Sequence, residues 1–424
     1  MEHAVARSLP PSSRPKAKRI APEYHRALRE ILARRERESD AFLCSLPERT
    51  QYVDTHDVAW STAVCSDGRC SDITFALGLI PGQLKSFRDP GSMEATLRDP
   101  VYMQRFVAHH RLVEQGLGLI QGKCLTQVHL SVAHSSGTPS LGCGAWRADT
   151  ARYLAHMREL TDEINEWRNG HIIALTALLD TDDDSLRFYG STGASLSSVD
   201  YTSATNDSTP ERFQGLHGTI VDHLKEVYPF NRSPIRFIDA KRREAVYAEL
   251  ADRVIANATF VEAVRRSQRP PEELDHQERV IFIGRPLETR DRNDAFLIED
   301  RGNVCGNGMS HLQIALKYVV PNCIANDPEQ WVVPIFLAIP HNGYDANVVR
   351  LYAIGLRKRI AAAIGDMAAW VAENGHFPPN PNRAFMRARN CIASELAERV
   401  VICTTIHDRR DRRPMPVDPS DDIR

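Results

Sequence analysis

The chain has 424 residues, of which 42% are hydrophobic, and a formal charge of −2 at pH 7. That is enough apolar material for two or three domains with cores of their own, and the near-neutral balance gives no basis for nucleic acid or an anionic membrane as the main partner. No apolar run approaches the roughly twenty residues of a membrane span, and the start, with Arg7, Pro10, Pro11 and Arg14, lacks the apolar centre of a secretion signal; the expectation is a cytoplasmic protein.

Residues 1–20 hold five Lys/Arg against one acid, with several Pro and Ser, and read as a disordered basic tail. From Pro22 the spacing predicts an amphipathic helix, with Tyr24, Leu28, Ile31 and Leu32 on one face and the run Arg34 to Glu38 in solvent. The apolar run Val58 to Val64 reads as a buried strand that leads into Cys65-Ser66-Asp67-Gly68-Arg69. A helix follows over Pro100 to Gly116. Gln127 to His134 then reads as a second buried strand, ending in histidine and followed by a Ser/Gly/Pro loop that reaches Cys143. Trp146 to Trp167 is a longer helix and His171 to Leu179 another strand, the alternation of a central sheet flanked by helices.

Beyond that strand, Asp180, Asp182, Asp183 and Asp184 lack glycine and glutamate at the offsets of a calcium loop, and read as a solvated turn. Gly190 to Pro210 is a long polar loop, and Pro270-Pro271-Glu272-Glu273 looks like a linker. A second α/β pattern follows it. Strands are predicted over Arg279 to Gly284, Trp331 to Ile339 and Arg399 to Thr405, and helices over Ser310 to Tyr318, Asn347 to Ala363 and Asn382 to Glu398. From Asp408 onwards the Arg- and Pro-rich tail reads as mobile.

Nine cysteines are an odd count without a dense framework, which suits reduced thiols and metal ligation better than disulfides. Cys65, His134 and Cys143 make a Cys2His set, and three protein ligands leave a fourth metal position for water, as catalytic zinc does. The plain alternative is two buried thiols and a core histidine. Asp67 and Arg69 favour the metal reading: a spacing of two along an extended segment sends Cys65, Asp67 and Arg69 to one side, where the guanidinium clamps the carboxylate. Cys70 is a candidate fourth ligand, which would close the site as a structural Cys3His zinc. Cys305, His311 and Cys323 lack an Asp/Arg pair and read as ordinary thiols and a histidine.

Cys-x-Asp-x-Arg after a strand resembles the signature of β-class carbonic anhydrases, and the eight residues Ser135 to Gly142 between His134 and Cys143 are similar to the widened loop of the carboxysomal shell carbonic anhydrases. The segment Asp180 to Arg187 is also similar to an Asp-rich segment of that group. The resemblance runs from about Gln51 to near Val400. It implies an α/β (α+β) fold in which a β-carbonic-anhydrase-like sheet flanked by helices is followed by a second, degenerate copy without zinc. The implied domains are 1–50 (basic tail and N-terminal helix), 51–270 (catalytic zinc domain), 271–407 (degenerate copy) and 408–424 (disordered tail).

The resemblance further implies zinc (Zn2+) on Cys65, His134 and Cys143, with Asp67 and Arg69 catalytic, in the reversible hydration of CO2 to bicarbonate. Asp67, kept ionised by Arg69, would accept a hydrogen bond from the attacking water. His109 and His110 are candidates for the proton path by residue type alone, and read more readily as surface positions on a helix. A homodimer, and association with Rubisco or carboxysome shell proteins, belong to the same expectation. The alternatives are a non-catalytic zinc scaffold and a shell-assembly protein with a relic site.

Overall fold

The computed structural model describes residues 58–417 apart from 71–72, 80–83, 94, 122–125, 139–140, 169–171, 191–192, 203–209, 230–239, 267–277, 285–294, 299–310, 327–330, 342–344, 375–395 and 409–413. The helix expected from Pro22, the linker at Pro270 and most of the helix expected from Asn382 lie outside the described residues.

The described residues form two sheets. The first contains β1 (Val58–Cys65), β2 (Leu84–Asp89), β3 (Thr126–Ser135), β4 (Ile172–Asp180), β5 (Leu186–Tyr189) and β6 (Ser195–Ser197), in the order β2-β1-β3-β4-β5-β6. Its first four strands are parallel, and β5 and β6 are antiparallel. The second contains β7 (Val280–Gly284), β8 (Ala295–Ile298), β9 (Val333–His341), β10 (Val400–Asp408) and β11 (Pro414–Val417), in the order β8-β7-β9-β10-β11, with only β11 antiparallel. Counted from its own first strand, the first sheet runs 2-1-3-4-5-6 and the second 2-1-3-4-5, with the fifth strand reversed in each.

The helices are α1 (Ile73–Ala76), α2 (Pro100–Gln121), α3 (Thr150–Arg168), α4 (Pro210–Val227), α5 (Ala240–Arg266), α6 (His311–Asn326) and α7 (Ala346–Asn374). The predominantly parallel sheets need helical crossovers, and α2, α3, α6 and α7 supply them between successive strands. Strand β3 is buried along its whole middle, which is why its sequence reads as a continuous run rather than an alternating one. Each sheet nucleates its own apolar cluster, one around Trp60, Leu130 and Leu175 and the other around Ile335, Leu337 and Leu356. No helix among the described residues is long and apolar enough to cross a membrane.

Several sequence expectations need correction. The helix predicted from Trp146 begins at Thr150, because Arg147 and Ala148 take left-handed backbone angles (φ 53° and 60°) that interrupt it. The acidic turn is not solvated: Thr181 and Asp184 are buried, Asn257 of α5 bonds Leu186 N and Asp184 O, and Arg265 pairs with Asp183 at 2.6 Å. Burial also pushes the Asp180 carboxyl up to about 6. Part of the predicted 408–424 tail is ordered, since Pro414–Val417 pairs with β10 and buries Val417; edge position accommodates its prolines, which have no N–H to donate.

Helix α5 is anchored by a buried ion pair. Arg253 meets Glu249 at 3.1 Å and donates to the carbonyls of Leu77 and Gly78, while Trp60 Nε1 donates to the same Glu249. Gly78 sits at φ +63°, where an added Cβ would lie 2.5 Å from Ala256 Cβ. The tight turn after α1 therefore requires glycine.

His110, a surface position on the sequence reading, is buried against Phe106, and its Nδ1 bonds Gln127 Oε1. Beside it His129 is fully buried, with Nδ1 2.8 Å from Ser61 Oγ. Burial first, then the neighbouring His110 and His109, hold the His129 pKa well below its ordinary 6.5. The folded state keeps this imidazole neutral while the unfolded chain protonates it, so its contribution to stability is full above about pH 6.5 and is lost as pH falls. Urea titrations at pH 7.5, 6.0 and 5.0 should show a loss of up to about 1.4 kcal/mol per pH unit below pH 6.5, reduced in His129→Gln. Equal slopes for the two proteins would show that His129 does not carry it.

Candidate metal centre

In an open parallel sheet the carboxyl ends of strands form a crevice where the strand order reverses, and this is where ligands bind. The first sheet reverses between β1 and β3. Cys65 ends β1 and His134 lies one residue from the end of β3, so the two are brought together by topology. Cys143 arrives from the loop after β3. Ligand atoms of Cys65, His134 and Cys143 all lie within 4.8 Å of one another, and all three residues are buried. This set can hold a metal ion.

The donor chemistry fits zinc. Bonds of about 2.3 Å to sulfur and 2.0–2.1 Å to nitrogen at tetrahedral angles place ligand atoms roughly 3.5–3.8 Å apart, a small contraction of the cluster. Both ring nitrogens of His134 are buried without a hydrogen-bond partner, an arrangement that a bound cation explains for one of them. Burial, and then the adjacent Cys143, push the Cys65 thiol well above its usual range. Metal binding must therefore displace protons from a site that disfavours bare thiolates.

Cys65 is already prepared for negative charge. Its Sγ accepts hydrogen bonds from Asp67 N (3.4 Å) and Gly91 N (3.1 Å). Behind it Arg88 of β2 donates to the carbonyls of Cys65 and Cys70, pinning both ends of the 65–70 segment.

Asp67 is held by Arg69 at both oxygens. Arg69 N and Nε donate to Oδ1 at 2.9 and 3.1 Å, and Nη2 to Oδ2 at 2.6 Å. Burial alone would lower the Arg69 pKa, but the Asp67 carboxylate more than offsets it and leaves the pKa above its ordinary value. Arg69 Nη1 also donates to Leu141 O at 2.6 Å, fixing the loop two residues before Cys143. Asp67 Oδ2 stands 3.8 Å from His134 Nε2, beside the cluster but committed to arginine. Asp182 secures the other end of the loop, accepting from Ser136 Oγ and Gly137 N.

Among the described residues Cys70 is buried but outside the converging ligand atoms, so the closed Cys3His set is not assembled. Cys305 is outside the described residues; His311 and Cys323 form no metal group among the described ones. His109 and His110 sit on α2 by His129, and five residues of extended strand, roughly 16 Å, separate His129 from His134.

The sequence resemblance implies that the second copy packs against the first and completes its site, but sequence reasoning missed the residues that do so. Phe296 of β8 bridges to Asp67, and Leu297 N donates to Ser66 O at 2.9 Å. Tyr318 of α6 stacks on Phe296 (6.0 Å between centroids), and a Cβ on Gly144 would come within 3.4 Å of its hydroxyl. Also missed were Gly91, Trp146 and Tyr153. Asp89-Pro90-Gly91-Ser92 carries a turn signal, whereas nothing local marks Trp146 or Tyr153.

No protein-family model matches the chain, and no curated protein matches it.

At φ +63° Gly91 is in the left-handed region, and an added Cβ would lie 2.6 Å from Ala145 Cβ and 2.9 Å from Trp146 Nε1. Gly91→Ala should cost more than about 1 kcal/mol in urea unfolding and weaken metal retention against a chelator. Wild-type values in both measurements would mean that this turn does not support the centre.

Proposed function

We propose that the protein is a zinc-dependent carbonic anhydrase of the divergent β type, hydrating CO2 reversibly to bicarbonate. The observation that carries this reading is the convergence of Cys65, His134 and Cys143 beside a carboxylate, Asp67, that arginine holds by both oxygens. The matching strand order of the two sheets supports the second half as a degenerate copy of the same fold.

Bound zinc would supply a Lewis acid that makes water nucleophilic at neutral pH. Two thiolates and a neutral imidazole cancel its charge, so the protein must add direction and acceptor strength. With both oxygens tied to Arg69, Asp67 is an acceptor of fixed orientation; it takes a hydrogen bond from the attacking water and turns a lone pair towards carbon. Carbon dioxide is uncharged and needs an apolar wall rather than a cation clamp. The Tyr318 ring, stacked on Phe296, offers aromatic surface beside Gly144. A homodimer, and service to Rubisco in a carboxysome with shell proteins as neighbours, extend the proposal on the strength of the sequence resemblance.

Metal analysis and stopped-flow CO2 hydration test the assignment together. Cys65→Ala, His134→Ala and Cys143→Ala should each remove the single zinc, while Asp67→Asn should keep it and lose about two to four orders of magnitude in turnover. Full zinc occupancy in Cys143→Ala would sink the ligand set, and unchanged turnover in Asp67→Asn would sink the mechanism.

Because β8 pairs with the Ser66–Asp67 segment, a fragment ending at residue 270 should be insoluble or inactive. A soluble, monomeric and fully active fragment would show that the second half is dispensable.

A further inference from the structure

We infer that Trp146 is a positioning residue which, through the backbone of Gly91, sets how much electron density the Cys65 thiolate gives to the metal. The inference rests on the proposed zinc ligation by Cys65, His134 and Cys143. Gly91 is held at both of its peptide groups: its N–H donates to Cys65 Sγ at 3.1 Å, and its carbonyl accepts from Trp146 Nε1 at 2.7 Å. The left-handed angle of Gly91 lets one residue face both partners.

For a half-buried side chain, the indole is closely restrained. It stacks on Tyr153 (5.6 Å, 15°), lies 5.4 Å from the His156 ring, and has the Arg152 guanidinium 5.5 Å from its centroid. Tyr153 is itself fixed by bonds to Val132 O and Ser92 Oγ, and His156 Nε2 bonds Ser92 O. All of these contacts aim a single N–H at the Gly91 carbonyl.

The electronic consequence follows from the donor set. A centre with two thiolates has no net charge, and a hydrogen bond to sulfur withdraws density from it and restores part of the metal's Lewis acidity. Trp146 also lies three residues beyond Cys143, so the contact couples the loops that carry both thiolates. Removing the indole N–H frees the Gly91–Ser92 peptide, so that Gly91 can relax about its φ and ψ; this weakens the bond from its N–H to sulfur and makes Cys65 a stronger donor.

Cobalt(II) reports this directly. In the full-length cobalt-loaded protein, Trp146→Phe should retain one metal per chain, shift the thiolate-to-cobalt charge-transfer band to longer wavelength, and lower kcat for hydration about tenfold with KM unchanged. A benzothiophene analogue of tryptophan at position 146, which keeps the shape without the N–H, should show the same shift and separates hydrogen bonding from packing. A band at the wild-type wavelength in the analogue protein would overturn the role of Trp146 whatever the hydration rate. Conversely, wild-type protein that shows thiolate-to-cobalt bands but no hydration would refute the proposed reaction, and the band shift would still decide the inference.

Discussion

The guanidinium of Arg69 is the constraint on which the rest of the centre depends. In one buried group it fixes both oxygens of Asp67 and the carbonyl of Leu141, so the acceptor and the loop bearing Cys143 share a single reference. A buried carboxylate without such a partner would protonate, and a buried guanidinium without a carboxylate would be strongly destabilising. Lysine could not replace it, because a point charge has no planar fork to hold two carboxylate oxygens and a third acceptor together.

This fixed segment is also the seam between the two sheets. Ser66 and Asp67 continue from β1, receive Asp89 O as a partner for Ser66 N, and meet β8 through Leu297 N and Phe296. The two cores are otherwise separate clusters, each built on its own crossovers. Backbone bonding at the seam makes the position of Asp67 a property of both halves. Tyr318, reaching towards Gly144 from α6, extends that joint control to the Cys143 loop.

Charge balance explains the surroundings of the ligands. Two thiols brought together in a dry pocket resist ionisation, as the raised Cys65 pKa expresses. The two backbone N–H groups aimed at Cys65 Sγ and the arginine-bound carboxylate beyond it are complementary answers to this. One tempers the negative charge on sulfur, and the other sets a fixed acceptor beside the cluster. The turn at Gly91 joins these features to Trp146 and Tyr153, so the support of the centre is aromatic as well as polar.

What the sequence determined by itself is what local pattern encodes. The apolar runs before Cys65 and up to His134 are long enough to be buried parallel strands, and Asp67 and Arg69 are close enough in sequence to pair, although the strand ends at Cys65 and Gly68–Cys70 is a 3-10 turn rather than the extended segment expected. The strands β7, β9 and β10 and the helices α2, α6 and α7 were legible for the same reason, with ends displaced where a left-handed turn or a continuing helix intervened. Cys143 is legible from the sequence, but only the tertiary structure decided that its sulfur converges with Cys65 and His134, that Cys70 does not, that α5 takes up the acidic turn, and that His110 is buried rather than exposed. The partners in these cases lie tens to hundreds of residues apart, and their encounter is set by strand order and crossover packing, which no local spacing records. Trp146 and Gly91 show the same limit: their 2.7 Å contact spans 55 positions and exists because two loops leave the carboxyl ends of one parallel sheet side by side.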